Sequence, residues 1–149
     1  MSSTRTRKVY IQDNSEVMGT FTVRTTKRTS FVNITASVRE EVRKSGIKSG
    51  ICIVYVPHTT AGVFINEGAD PDVVRDIAYV LEKLIPWEDR AYAHVEGNSA
   101  AHAKSALIGN SRVVPVEDGD LVLGRWEAIF LAEFDGPRER KVIVKVIGE

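Results

Sequence analysis

The stretch Ile51-Cys52-Ile53-Val54-Tyr55-Val56-Pro57-His58-Thr59-Thr60-Ala61-Gly62-Val63-Phe64-Ile65-Asn66 decides the fold. Residues 51–56 form a continuous apolar run of strand length, which reads as a central, buried strand. Pro57 ends it, because proline has no N–H to give a ladder. Residues 61–66 read as the next strand, with Val63 and Ile65 on one face. The polar cluster His58-Thr59-Thr60 is left between two strands, at a strand end, where binding groups often sit. Ordinary turn chemistry is the alternative reading of that cluster.

Outward from this centre the chain mixes helices and strands. Residues 35–45 read as a helix, with Thr35 as N-cap, Val38 and Val42 at helical spacing, and a Glu40–Lys44 pair. Gly46 followed by Ile47 supplies a glycine stop. A second helix starts at Asp70-Pro71, cap and first position respectively. Val73, Ile77, Val80, Leu81 and Leu84 are its apolar stripe, and Pro86 ends it. Residues 87–98 have no period and read as a long loop, and a third helix spans 99–108 before Gly109. Strands are expected at 8–12 and 17–24, joined as a hairpin by Asp13-Asn14-Ser15, and at 112–116, 121–123, 126–134 and 141–147. Trp126 reads as a core residue. Segregated helices and strands predict a single α+β domain over 1–149, with mostly antiparallel sheets in a sandwich-like arrangement and about three helices.

Composition narrows the function. Twenty basic residues balance twenty acidic ones, so the basic excess typical of nucleic-acid binders is missing. Arg5, Arg7 and Lys8 read as a solvated tail end. No run of about 18 apolar residues and no signal peptide is visible, so neither nucleic acid nor membrane is an expected partner. The single cysteine, Cys52, lies in an apolar run, reads as a small buried hydrophobe, and fits a reducing, cytoplasmic setting. There is no Gly-x-Ser-x-Gly elbow of a serine hydrolase.

The chemistry-bearing residues gather around three histidines. His58 follows the central strand, His94 lies in the long loop, and His102 lies near the start of the third helix. Three imidazoles suit a divalent metal such as zinc. Their separations of 36 and 8 residues match no local ligand motif, so unrelated turn and cap histidines stay open as a reading. Gly97-Asn98-Ser99 opens a helix whose free N–H groups make an anion site, or a plain cap. Glu67 and Glu96 are carboxylates able to orient an imidazole, or to be simply solvated. Arg138 and Arg140 follow the turn Asp135-Gly136-Pro137 and can clamp a phosphate, or remain solvated.

PHTTAGVFINEGADPDV (57–73), HVEGNSAAH (94–102), LGRWEAIFLAEFDGPR (123–138) and KVIVKVIGE (141–149), taken together and in this order, resemble the YjbQ family. The resemblance covers the chain from about residue 7 onward. It implies an α+β fold with packed sheets, three chains around a threefold axis, and a weak thiamine-phosphate synthase activity. That reaction is a transfer joining a pyrimidine diphosphate to a thiazole phosphate with loss of pyrophosphate. The family's histidine cluster matches His58, His94 and His102. Asn66, Glu67, Glu96 and Asn98 match polar positions of the same motifs. The family often carries an aspartate where this chain has Ala100, and a smaller residue where it has Arg125.

These readings give an enzyme on a phosphorylated small molecule. His58, His94, His102 and Glu96 are its catalytic candidates, and the histidines hold a divalent metal, zinc or magnesium, or act as acid and base. Thr59, Thr60, Asn66, Glu67, Asn98, Ser99 and Arg138 are expected to bind substrate. The alternatives are a non-catalytic phosphate- or metal-binding module, and a structural trimer.

Overall fold

Alternation along each strand fixes which side is buried, and the buried sides define two layers. The computed structural model describes residues 15–149. In chain order the elements are β1 (Ser15–Arg24), β2 (Ser30–Asn33), α1 (Thr35–Ser45), β3 (Gly50–Tyr55), β4 (Ala61–Glu67), α2 (Pro71–Leu84), α3 (Ser99–Ile108), β5 (Ser111–Glu117), β6 (Asp120–Leu121), β7 (Glu127–Glu133) and β8 (Glu139–Gly148). One sheet has the strand order β1-β8-β3-β5-β6 and the other β2-β7-β4, and every pairing is antiparallel. The architecture is the α+β, sandwich-like one that the sequence predicts.

Cys52, Val54, Val142, Val144 and Val146 point inward from the large sheet to meet Val63, Ile129 and Leu131 of the small one, with Val38 and Val42 of α1 closing the layer. The other face of the small sheet carries Phe64, Phe130 and Ala132 against Leu81 of α2 and Ala101 of α3. Phe64 stacks on Phe130 at 5.3 Å and meets Phe31 edge-on at 5.0 Å. Small side chains let α3 lie close to β4: Ala100 and Ala101 are fully buried. Ser105 Oγ donates to the Ala61 carbonyl at 2.7 Å. Gly62 is needed beneath the helix end, since a Cβ there would come within 2.5 Å of the Gly109 carbonyl oxygen, which accepts from Val63 N–H.

Several local expectations change. Strand 8–12 and the turn residues Asp13 and Asn14 lie outside the described residues. β1 pairs along its whole length with β8. Thr35 does not cap α1: it is the first helical residue, and its Oγ1 accepts from Ile129 N–H at 2.8 Å, tying the helix to β7. Its own N–H goes to Asn33 Oδ1. Glu40 pairs with Arg43, and Lys44 with Glu41, each three residues apart rather than four. β3 is central but buried on one face only; on the other, Ile51 is 39% and Tyr55 40% exposed. β6 is just two residues long, and Trp126 precedes β7 and is 56% exposed rather than in the core. Gly46 in the left-handed region (φ 73°) ends α1, and Asp70 Oδ1 accepts from Asp72 N–H to cap α2, both as the sequence predicts.

Candidate functional site

β3's pairing with β8 ends at Tyr55–Ile143. Pro57 then turns the chain, and the Lys141 N–H donates instead to His58 Nε2 at 2.9 Å. A neutral imidazole whose Nε2 lone pair is engaged carries its hydrogen on Nδ1, so the ring offers a donor to its surroundings. Burial, and then the charge of Arg140, hold the His58 pKa below its ordinary 6.5 against a smaller opposing pull from Glu133, which favours the neutral ring.

His58 lines a cavity of about 540 Å³ between the end of β3, the start of α3 and the turn before β8. Thr59, Thr60, Glu96, Asn98, His102 and Arg138 line it too. Arg140, the other arginine weighed from sequence, is also in its wall, as are Tyr55, Asn110 and Asp135, which sequence reasoning did not single out. The only signal for Asp135 was its place in a turn beside two arginines.

The arginines are held by carboxylates. Arg140 Nε donates to Glu133 Oε1 at 2.8 Å and Nη2 to Oε2, and the same Nη2 reaches Thr60 Oγ1 at 2.8 Å. Glu133 also accepts from Thr25 Oγ1 and from Asp135 N–H. Burial raises the Glu133 carboxyl's pKa, but hydrogen bonds from Arg140, Asp135 N–H and Thr25 outweigh it and hold it below the ordinary value. Arg138 Nη2 and Asn98 Nδ2 share one oxygen of Asp135, at 3.0 and 2.9 Å. Burial likewise raises Asp135, and Asn98 and Arg138 together bring it below its ordinary value. Asn98 stands at the N-cap position of α3 but gives the helix no side-chain cap. Its Oδ1 is buried without a hydrogen-bond partner among the described residues.

The remaining candidates fall elsewhere. His94 lies edge-on to His102 at 5.4 Å between ring centroids, and its Nε2 is 3.5 Å from Glu96 Oε1. With His102 and Ser99 it lines a smaller hollow of about 240 Å³. Asn66 and Glu67 sit at the far end of β4 from Thr60, and their side-chain oxygens accept local backbone N–H groups of Glu67, Ala69 and Asp70. Arg125 stacks over Trp126 at 4.9 Å beside a separate cavity of about 510 Å³. Ala100 is fully buried in the first turn of α3 and offers the site no polar group.

Among the described residues no group of three His, Cys, Asp or Glu side chains is placed to hold an ion. His58 in addition presents N–H rather than a lone pair, the wrong chemistry for a ligand. The arrangement suits an anion: two guanidiniums oriented by carboxylates, and a neutral imidazole donor.

The comparisons agree with the fold. A UPF0047 protein of Methanocaldococcus jannaschii is 48% identical over 131 residues, 87% of this chain and 93% of that one. The protein YugU of Bacillus subtilis is 46% identical, covering 89% of this chain and all of its own. A YjbQ/UPF0047 crystal structure from Clostridium acetobutylicum superposes with a TM-score of 0.84 at 48% identity, covering 86% of this chain and 98% of that one. A YbjQ-like protein from Sulfolobus solfataricus gives 0.87 at 37% identity, covering 91% and 99%. The model of the family described as UPF0047 protein YjbQ-like matches residues 19–149, and this chain belongs to that family.

Proposed function

We propose that the protein is an enzyme acting on a phosphorylated small molecule bound in the cavity between β3, α3 and β8. The observation that carries this is the joint placement of Arg138, Arg140, Asn98, His58 and His102 around one cavity of about 540 Å³. Glu133 and Asp135 spend their oxygens on orienting the two guanidiniums, so the remaining N–H groups are held ready for an anion before it arrives. His58 donates from Nδ1 to substrate oxygen. His102, whose ring makes no hydrogen bond among the described residues, donates a proton to the departing phosphate oxygen; Glu96 and His94 flank it. The resemblance to the YjbQ family makes the condensation of a pyrimidine diphosphate with a thiazole phosphate, a transferase reaction, the specific activity to assay. The purified chain forms thiamine phosphate from these two substrates, and His102→Ala lowers the rate about 100-fold or more. Product formation undiminished in both His58→Ala and His102→Ala removes the site. Phosphate binding without turnover of any phosphoester makes the protein a binding module.

A second reading uses the His94–His102 pair. Two adjacent imidazoles with Glu96 beside one of them suit zinc better than magnesium, provided a further donor comes from another copy of the chain. Elemental analysis of the tag-free protein checks it: about one zinc per chain, lost in His94→Ala, is the result it requires.

The same proposal includes self-association. The outer face of the large sheet exposes Met18, Ile51, Tyr55 and Val113, a surface apolar enough to meet its own copy, and the resemblance gives the number as three. Sedimentation equilibrium reads it, with Val113→Glu shifting the population to monomer. A cytoplasmic setting is in keeping with the lone, buried Cys52, whose thiol is pushed up to about 11 by burial. No described helix is long and apolar enough to cross a membrane.

A further inference from the structure

Trp126 and Arg125 have no part in the cavity described so far. They line the separate one of about 510 Å³, with Arg39, Leu121, Leu123 and Glu127. No residue lines both this cavity and the one of about 540 Å³. β4 and β7 pair from Ala61–Glu133 to Glu67–Glu127, and the two cavities lie at opposite ends of that ladder, which is about 20 Å long. The wall of the second cavity is braced. Glu127 Oε1 accepts the Gly124 N–H at 2.8 Å, Glu127 N–H returns to the Gly124 carbonyl at 3.0 Å, and Gly68 N–H donates to the Trp126 carbonyl at 2.8 Å. This turn sets the Arg125 guanidinium over the indole, yet leaves Trp126 more than half exposed. Arg39 is oriented by Asp120: its Nε donates to Oδ1 at 2.8 Å, and that bond holds the Asp120 carboxyl below its ordinary value. Arg39 makes no other side-chain hydrogen bond among the described residues, so its two Nη groups remain as a fork of donors.

We propose that this cavity is a second ligand site, for a flat aromatic carboxylate whose ring lies against the Trp126 indole and whose carboxylate takes the Arg39 fork. It stands independently of the phosphate reading. An indole left exposed keeps apolar area that a ring can cover, and an aromatic pair adds to that burial. Two parallel N–H groups of a guanidinium match the two oxygens of a planar carboxylate. Arg125 adds a second positive charge to the wall, and Glu127 opposes more than one negative charge on the ligand. Leu121 and Leu123 extend the apolar lining, and the volume is that of a small-molecule site.

Calorimetric titration of the intact chain tests this with three probes. They are 2-naphthoate, cyclohexanecarboxylate, which has the charge without the flat ring, and 2-naphthalenemethanol, which has the ring without the charge. The unaltered protein binds 2-naphthoate about tenfold or more tightly than either of the others. Trp126→Ala and Arg39→Gln each weaken it about tenfold or more, and melting temperatures near that of the unaltered protein report that both variants are folded, since both side chains are exposed. Trp126→Phe, which keeps a ring, recovers most of the affinity. Arg138→Ala, altered in the other cavity, binds 2-naphthoate as before, and excess inorganic phosphate does not displace it. No binding of 2-naphthoate, equal binding of the three probes, or an affinity unchanged in Trp126→Ala and Arg39→Gln overturns the second site and leaves the phosphate reading standing. Displacement by phosphate, or loss of binding in Arg138→Ala, also overturns it and puts the probe in the first cavity.

Discussion

Arg140, in the cavity wall, and Glu133, behind it, meet as a two-point fork, guanidinium Nε and Nη2 on the two carboxylate oxygens, with Arg140 4% exposed and Glu133 fully buried. Removing one partner of such a pair strands the other charge without water. Glu133→Ala is expected to lower unfolding free energy by about 3–5 kcal/mol. The double replacement of Glu133 by Leu and Arg140 by Met costs less than Glu133→Ala alone, yet abolishes phosphate binding. Urea denaturation of the three proteins measures the ordering. Because the Glu133 carboxyl is held below its ordinary 4.5, its contribution is complete above that pH and is lost as pH falls through the lower folded value.

The His58 ring behaves in the opposite chemical sense with the same direction in pH. Its pKa is lowered from 6.5, so the unfolded chain takes up the proton first on acidification. Stability contributed by the neutral ring is present above pH 6.5 and declines as pH drops from there toward the folded value. In the NMR titration the His58 ring protons have a midpoint below 6.5, and His58→Ala flattens the stability slope across that window.

Arg138 is half exposed and paired to Asp135, so it contributes little to folding. Arg138→Ala is expected to change stability by about 1 kcal/mol or less. Phosphate affinity falls about tenfold or more, because a charge-assisted donor is lost from the anion end. Titration calorimetry and thermal melts separate the two effects. A weakening of phosphate that matches a fall in melting temperature makes Arg138 structural instead.

Asp70 makes a useful contrast. Its Oδ1 caps α2 through Asp72 N–H at 3.0 Å, and it is not among the residues lining the cavity. Asp70→Ala therefore lowers stability by about 1 kcal/mol and leaves phosphate binding where it was.

What could be read from the sequence followed from local periodicity. Val142, Val144 and Val146 alternate inward as written, and Asp70-Pro71 starts its helix. Contacts between distant segments were not legible. Thr35 is a good cap by local rules, but Asn33 takes its N–H and its hydroxyl goes to Ile129, 94 residues away. The run 51–56 reads as buried on both faces because nothing in it shows that one side of the sheet is left uncovered. At the site, His58, Thr59, Thr60, Glu96, Asn98, His102 and Arg138 share one cavity, each identified as a polar residue at an element's end or in a loop. Asn66 and Glu67 were drawn in as polar positions that match the family's motifs, Glu67 also as a carboxylate able to orient an imidazole. A strand carries its two ends apart by about 3.3 Å per residue, so β4 takes them away. Asp135 was missed because its role depends on Asn98, which a helix and three strands separate from it.

The group that sets the His58 tautomer is a main-chain N–H. Any side chain at position 141 supplies it equally, so replacing Lys141 by alanine leaves the ring's orientation intact, and a scan that trims side chains one by one passes over the position. Proline alone removes the donor. The hydrogen on Nδ1 is thus written in where β3 stops following β8, not in the identity of a neighbouring residue, and drift in the side chain at 141 leaves that part of the site unaltered.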